Sequence, residues 1–174
     1  MLYTSIFYDM LCVIEKLRKE EPTLDDIDIK ILSILQSNAR ATASEIGNTI
    51  GMSVSAVIER IKKLEASHVI AQYTTIIDHK NVNKDITAFI SISLEHPKFN
   101  DAFIKFVENT YDVLESHYLA GEYDYLIKVV TDTTTTLERL LRDIKCIPGV
   151  ARTCTSMVLS TVKNEYSINP NSIE

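Results

Sequence analysis

Residues 42–66 read TASEIGNTIGMSVSAVIERIKKLEA. Thr42 and Glu45 stand three apart, so a hydroxyl and a carboxylate can each satisfy an orphan amide at a helix start. The short helix they open, Ala43 to Ile50, buries Ile46 and Ile50. Gly51 ends it, because glycine enters the left-handed region without cost. Ser53 caps a third helix, Val54 to Ala66, with Val57, Ile61 and Leu64 turned inward. Short helix, glycine turn, capping serine, longer helix is the order of a helix-turn-helix.

Upstream, Asp25 to Ser37 is a helix with an apolar stripe of Ile27, Ile31, Ile34 and Leu35. Asp25 or Thr23 caps it, and Asp26 and Asp28 suit its positive end. Residues 1–21 have helical spacing at Ile6, Met10, Val13, Ile14 and Leu17, and Pro22 closes the segment. Two readings stand for this extension: a helix packing on the body or a partner, or a start-site artefact preceding a protein that begins near Leu24. It lacks a basic region and a cleavage site, is broken by Asp9, and is too short to span a bilayer.

Downstream the period changes from helical to alternating. Ala71 to Asp78 is a strand or an extended connection, and Ala88, Ile90, Ile92 and Leu94 mark one face of a strand ending near His96-Pro97. Asn100 is expected to cap a helix burying Phe103, Phe106 and Val107. Val113 to Ala120 and Tyr123 to Thr131 are strands about Gly121. Thr135 and Glu138 form a second capping box before Leu137, Leu140, Leu141 and Ile144, and Val150 to Val162 is a last strand. The order βαββαβ predicts a ferredoxin-like sheet with both helices on one face. The fold class is therefore α+β, with helix-turn-helix residues at 22–70, a connection at 71–84, the ferredoxin-like domain at 85–163, and a polar, mobile tail at 164–174.

Composition agrees with a soluble, cytoplasmic globular protein. Of 174 residues, 45% are hydrophobic and 24% charged, and no apolar run reaches membrane length. Cys12, Cys146 and Cys154 are odd in number and widely spaced, which fits buried thiols in a reducing compartment and no disulfide framework. The four histidines are equally scattered, so no metal or cofactor is expected. No nucleophile elbow or phosphate-binding glycine loop is present, and no enzyme is expected.

The net charge of −6 argues mildly against nucleic acid, but only a local basic surface has to meet phosphate. Between residues 24 and 70 the acids crowd the first helix, while Arg60, Lys62 and Lys63 crowd the third. The candidate DNA face is Ser53, Ser55, Ala56, Glu59, Arg60, Lys62 and Lys63, with small residues at the amide-rich end and cations for phosphate or guanine. The bland alternative is a solvated helical face with pairs such as Glu59–Lys63.

Set side by side, the two halves resemble the Lrp/AsnC family of feast/famine regulators. The resemblance lies in Leu24-Asp25-Asp26-Ile27-Asp28, Ile31-Leu32, Asn38-Ala39-Arg40, Glu45-Ile46, Gly51-Met52-Ser53-Val54-Ser55, Arg60-Ile61, Leu64-Glu65 and Val69-Ile70. It continues through Ala120-Gly121-Glu122-Tyr123-Asp124, a glycine-x-x-aspartate turn, and Pro148-Gly149-Val150, covering about residues 24 to 163.

The resemblance implies a winged helix-turn-helix reader of double-stranded DNA joined to a sensing and assembly domain. It implies dimers formed through the sheets, rings of dimers up to tetramers or octamers, and an amino acid or related metabolite bound between dimers near the glycine-x-x-aspartate turn. By that carry-over the effector residues are Leu119, Gly121, Tyr123 and Asp124, with Thr153 and Thr155 on the last strand. A turn freed by Gly121 would offer amides to a carboxylate, and Asp124 would take an ammonium group. Two departures stand out. His68 occupies a place where the family usually has glycine, so the third helix is expected to end differently, and residues 1–21 are not a usual family feature. The competing readings are a small-molecule sensor or oligomerisation scaffold with weak DNA binding, and a haem-pathway decarboxylase-like enzyme on the same scaffold. The second requires a cleft rich in His and Arg, whereas the C-terminal half has only Arg139, Arg142 and Arg152.

Overall fold

The computed structural model describes residues 24–172, so the expectations for residues 1–21, Cys12 and Thr23 fall outside the described residues. Three helices come first: α1 (Asp26–Ser37), α2 (Ala43–Ile50) and α3 (Val54–Ala66). Asp25 caps α1, accepting from the amides of Ile27 and Asp28, while the Asp28 carboxylate accepts the Asp25 amide in return. Thr42 and Glu45 form the reciprocal box of α2, and Ser53 Oγ accepts the Ala56 amide at the start of α3. Ile31, Leu35, Ile46, Val57 and Leu64 make the core of this unit.

Two glycines allow the turn. Gly51 has φ +74, in the left-handed region. Gly47 lies inside α2, where a Cβ would meet the Met52 carbonyl oxygen at 2.6 Å, so α2 touches the turn more closely than any side chain permits.

His68 also takes the left-handed conformation, φ +58. A residue other than glycine thus takes a backbone conformation that glycine enters without cost. The end of α3 is closed by the Ile70 amide donating to the Leu64 carbonyl, and the histidine carries the strain. His68→Gly is expected to raise stability by about 1 kcal/mol, read as a higher urea midpoint at unchanged slope. A lower midpoint would mean that the side chain makes compensating contacts.

Residues 71–78 pair with no strand among the described residues and form the extended connection. The second unit then follows: β1 (Ile86–Leu94), α4 (Asn100–Glu108), β2 (Val113–Tyr118), β3 (Tyr125–Thr131), α5 (Thr134–Lys145) and β4 (Val150–Met157). The sheet order is β2-β3-β1-β4 and every neighbouring pair is antiparallel, the ferredoxin-like arrangement. Ala88, Ile90 and Ile92 of β1 and Tyr125, Ile127 and Val129 of β3 face Phe103, Leu137, Leu140 and Ile144 of the helices. The Phe103 and Tyr125 rings meet at 4.6 Å between centroids.

Several local expectations need correction. Asn100 does not cap α4. A 3-10 turn at Pro97–Phe99 leads in, Phe99 holds the cap position, and His96 Nδ1 accepts the Lys98 amide. The capping box of α5 is Thr133 with Thr136, two residues before the expected Thr135–Glu138 pair. The last strand ends at Met157 rather than Val162. Cys146 and Cys154 are exposed, not buried, because one sits at the end of α5 and the other on an edge strand.

The two compact units are 24–75 with 165–172, and 76–164. The polar tail thus belongs to the first unit. Pro170 is buried, and Gln36 Nε2 of α1 donates to the Ile168 carbonyl at 2.9 Å. The buried Pro170 ring and the bonded Ile168 carbonyl, within a polar stretch, supply what a mobile tail lacks.

Candidate DNA face and effector loop

Helix α3 turns Val57 and Leu64 into the core and leaves Ser53, Ser55, Glu59, Lys62 and Lys63 exposed, with Ala56 half-buried. Ser55, Glu59 and Lys62 succeed one another at helical spacing on the outward face. Ser53 Oγ lies 3.2 Å from Ser55 Oγ at its start.

Arg60 departs from this face. Its Nη1 donates to both Asp25 oxygens, at 2.9 and 2.8 Å, and to Asp28 Oδ1 at 2.7 Å. Its side chain is 28% exposed and that of Asp28 only 8%. Arg60 thus ties α3 to the capping box of α1, an internal clasp that the sequence, which placed it on the candidate DNA face, did not reveal. The acids of the first helix and the bases of the third, read as two separate patches, partly neutralise each other. The Asp25 carboxyl is held below its ordinary range, first by the Asp28 amide and then by Arg60. Arg60 is in turn pushed further up by Asp28 and Asp25. Two exposed apolar residues went unnoticed in the sequence: Val54 and Ile58, 46% and 41% exposed on the first two turns of α3. For Ile58 the signal was present, since it lies off the Val57–Ile61–Leu64 stripe; Val54 continues that stripe's spacing and is exposed at the helix start.

In the second unit the Leu119–Asp124 segment joins β2 to β3, closed by the Leu119 amide donating to the Asp124 carbonyl at 2.8 Å. Gly121 does not use its conformational freedom, since the left-handed glycines are Gly51 and Gly149 alone among the described residues, and a Cβ at 121 would meet open space. Asp124 bridges to β1: its amide donates to the Ile92 carbonyl, and its Oδ2 accepts the Leu94 amide at 2.7 Å. That bond falls where the β1–β4 register shifts, between Ser93 and Leu94. The expected ammonium acceptor is therefore also a backbone clamp. Asp124→Ala is expected to lower stability by about 1.5 kcal/mol, the value of a hydrogen bond to a charged acceptor. Asp124→Asn keeps an acceptor and should restore most of it in the same melt. Equal losses would assign the effect to charge instead.

The sheet separates the remaining effector candidates. Thr153 pairs with Ile92 and Thr155 with Ile90, so both lie on the helix-bearing face. Arg152 pairs with Ser93 on the opposite face. There its guanidinium lies 4.6 Å over the Tyr123 ring and its Nη2 is 2.9 Å from Glu122 Oε1, while Ser93 Oγ donates to the Glu122 carbonyl at 3.4 Å. Tyr123 and Asp124 are thus gathered with Arg152 and Glu122, two residues the sequence did not single out, and Thr153 and Thr155 are not brought to them. Open grooves of about 450 and 330 Å³ run along α4 and β2, and no candidate effector residue lines either.

A helix-turn-helix unit and a ferredoxin-like unit in one chain define a transcription regulator with a ligand-binding domain. Residues 24–65 match the AsnC-type helix-turn-helix domain, and residues 87–168 match the Lrp/AsnC ligand binding domain. The chain belongs to the Lrp/AsnC family of transcriptional regulators. It is 42% identical to the HTH-type transcriptional regulator YezC of Bacillus subtilis over 66% of this chain and 81% of that one. It is 36% identical to the glutamate uptake regulatory protein of Zymomonas mobilis over 83% of this chain and 88% of that one. Among solved structures, the regulator NMB0573 of Neisseria meningitidis in complex with L-Met superposes with a TM-score of 0.80 at 31% identity, covering 84% of this chain and 96% of that one.

Proposed function

We propose that the chain is a sequence-specific DNA-binding regulator whose assembly or DNA affinity responds to an amino acid or a related small metabolite. The observation that carries this is an outward α3, with Lys62 and Lys63 exposed on its third turn, in the same chain as a ligand-binding domain. Those cations meet phosphate while the first two turns of α3 enter the major groove. The names of the glutamate uptake regulator and the L-Met complex support an amino acid as effector.

The partner is a second copy of the chain. Leu159 and Val162 are almost wholly exposed, as are Tyr111 and Tyr118 to a large degree, which supports homodimers that assemble further into tetramers or octamers. Tyr123, Asp124 and Arg152 form an open surface in one protomer, so the effector would be enclosed between copies. A dimer reading half-sites one turn apart would hold its two α3 helices about 34 Å from each other.

The test is binding of the purified protein to its own upstream DNA across a salt series, with and without a pooled amino-acid mixture. Affinity that falls steeply with salt and shifts with the pool supports the reading. No binding above random DNA in either condition would replace it with a sensor scaffold, in keeping with the net charge of −6.

A further inference from the structure

Helix α3 carries one arginine, and that arginine is turned away from its outward face. Arg60 is held by Asp25 and Asp28 on the flank that meets α1. The outward side chains of the first two turns are Val54, Ser55, Ile58 and Glu59, and the free cations begin only at Lys62. A helix-turn-helix reads bases mainly through the N-terminal part of its recognition helix. Guanine, with two acceptors, calls for arginine or lysine there, whereas the thymine 5-methyl group calls for an apolar contact.

We propose that this chain selects its DNA sites through thymine methyl groups, with Ile58 as the specificity-determining residue and Val54 beside it. The inference rests on the DNA-binding reading above. Single exposed apolar side chains are ordinary on protein surfaces. Here, however, Val54, Ile58 and Lys62 follow at four-residue spacing, so two apolar tips and a cation lie one above another along the helix. The lysine anchors to phosphate at the groove wall while the apolar pair faces the groove floor. Glu59, beside Ile58, is an acceptor and disfavours guanine at the neighbouring position while suiting the cytosine amino group. Nearly half of Ile58 and of Val54 is exposed in the free protein, so apolar surface remains for a methyl to cover.

The experiment begins with selection of the tightest duplex from a random library by the full chain. That duplex is then remade with deoxyuridine in place of thymine, within the half-sites or in the flanks; the change removes the methyl and keeps every hydrogen-bonding group. Half-site replacement is expected to weaken binding about four-fold per methyl read, as one buried methylene is worth, and flank replacement to leave it unchanged. Ile58→Ala should weaken binding to the thymine duplex by a similar factor and lose most of the difference between thymine and deoxyuridine. This side chain is exposed and alanine favours helix, so the variant folds. Equal affinity for the two half-site duplexes overturns the inference and leaves DNA reading intact. An Ile58→Ala protein that still discriminates as the parent does removes Ile58 from the role. Failure to enrich any duplex overturns the DNA-binding reading itself, and this inference with it.

Discussion

Arg60→Met is expected to lower the stability of the helix-turn-helix unit by about 2 kcal/mol, between the loss for an exposed ion pair and that for a fully buried one, since Arg60 is 28% exposed and Asp28 only 8%. The methylene stem is replaced almost isosterically, so the loss is that of the charge. Asp28, 8% exposed, would be left with a desolvated carboxylate facing no cation. Asp25 and Asp28 also hold each other through the capping box, so the start of α1 would loosen with them. Urea denaturation gives the magnitude, and hydrogen exchange at the amides of α1 and α3 gives the place. Adding Asp28→Asn to Arg60→Met should recover part of the loss, because the stranded charge is gone.

A pH arm checks the same clasp. Asp25 titrates below its ordinary value in the folded chain, so its contribution is complete above the unfolded value of about 3.9 and is lost as pH falls through the folded one. The acid limb below about pH 4 should therefore be shallower in Arg60→Met than in the parent. Should the variant lose less than 1 kcal/mol while the salt dependence of DNA binding falls, Arg60 would be a phosphate contact after all.

Replacing Lys62 and Lys63 together with alanine has the opposite signature. Both are exposed on the last turns of α3 and neither belongs to the core. Stability should hardly change, since surface substitutions of this kind stay within about 0.5 kcal/mol. Affinity for every duplex should fall, on the order of ten- to a hundred-fold near 0.1 M salt, and the slope of log affinity against log salt should drop by about 2, one counterion for each phosphate released. Preference between sequences should survive, because phosphate contacts carry no base information. An unchanged slope would place the DNA face elsewhere.

The helix-turn-helix was legible because its signals are local. Asp25, Thr42 with Glu45, Gly51 and Ser53 each act on amides or turns within three or four residues, so their chemistry is complete in a short stretch of chain. The strand order of the second unit followed from its alternation and from the few ways a βαββαβ chain can close. Even local reasoning missed where several neighbours compete. Thr133 and Thr136 closed the capping box before Thr135 and Glu138, and a 3-10 turn at Pro97–Phe99 displaced Asn100 from the cap.

What only the tertiary structure decided are the partners that lie far apart in sequence. Arg60 finds Asp25 and Asp28 across more than thirty residues, Asp124 finds the Leu94 amide across thirty, and Ile168 returns to Gln36 across 132. The β1–β4 register likewise puts Thr153 and Arg152 on opposite faces, which no reading of the last strand alone supplies. Periodicity and caps specify which elements form, because their energies are settled within a turn of helix or a step of strand. Where a charged or polar tip ends depends on which surfaces packing brings within about 3 Å, the reach of a hydrogen bond. For this chain the family architecture was therefore written in the sequence, while the tasks of Arg60, of the glycine-x-x-aspartate turn and of the tail were set by the fold.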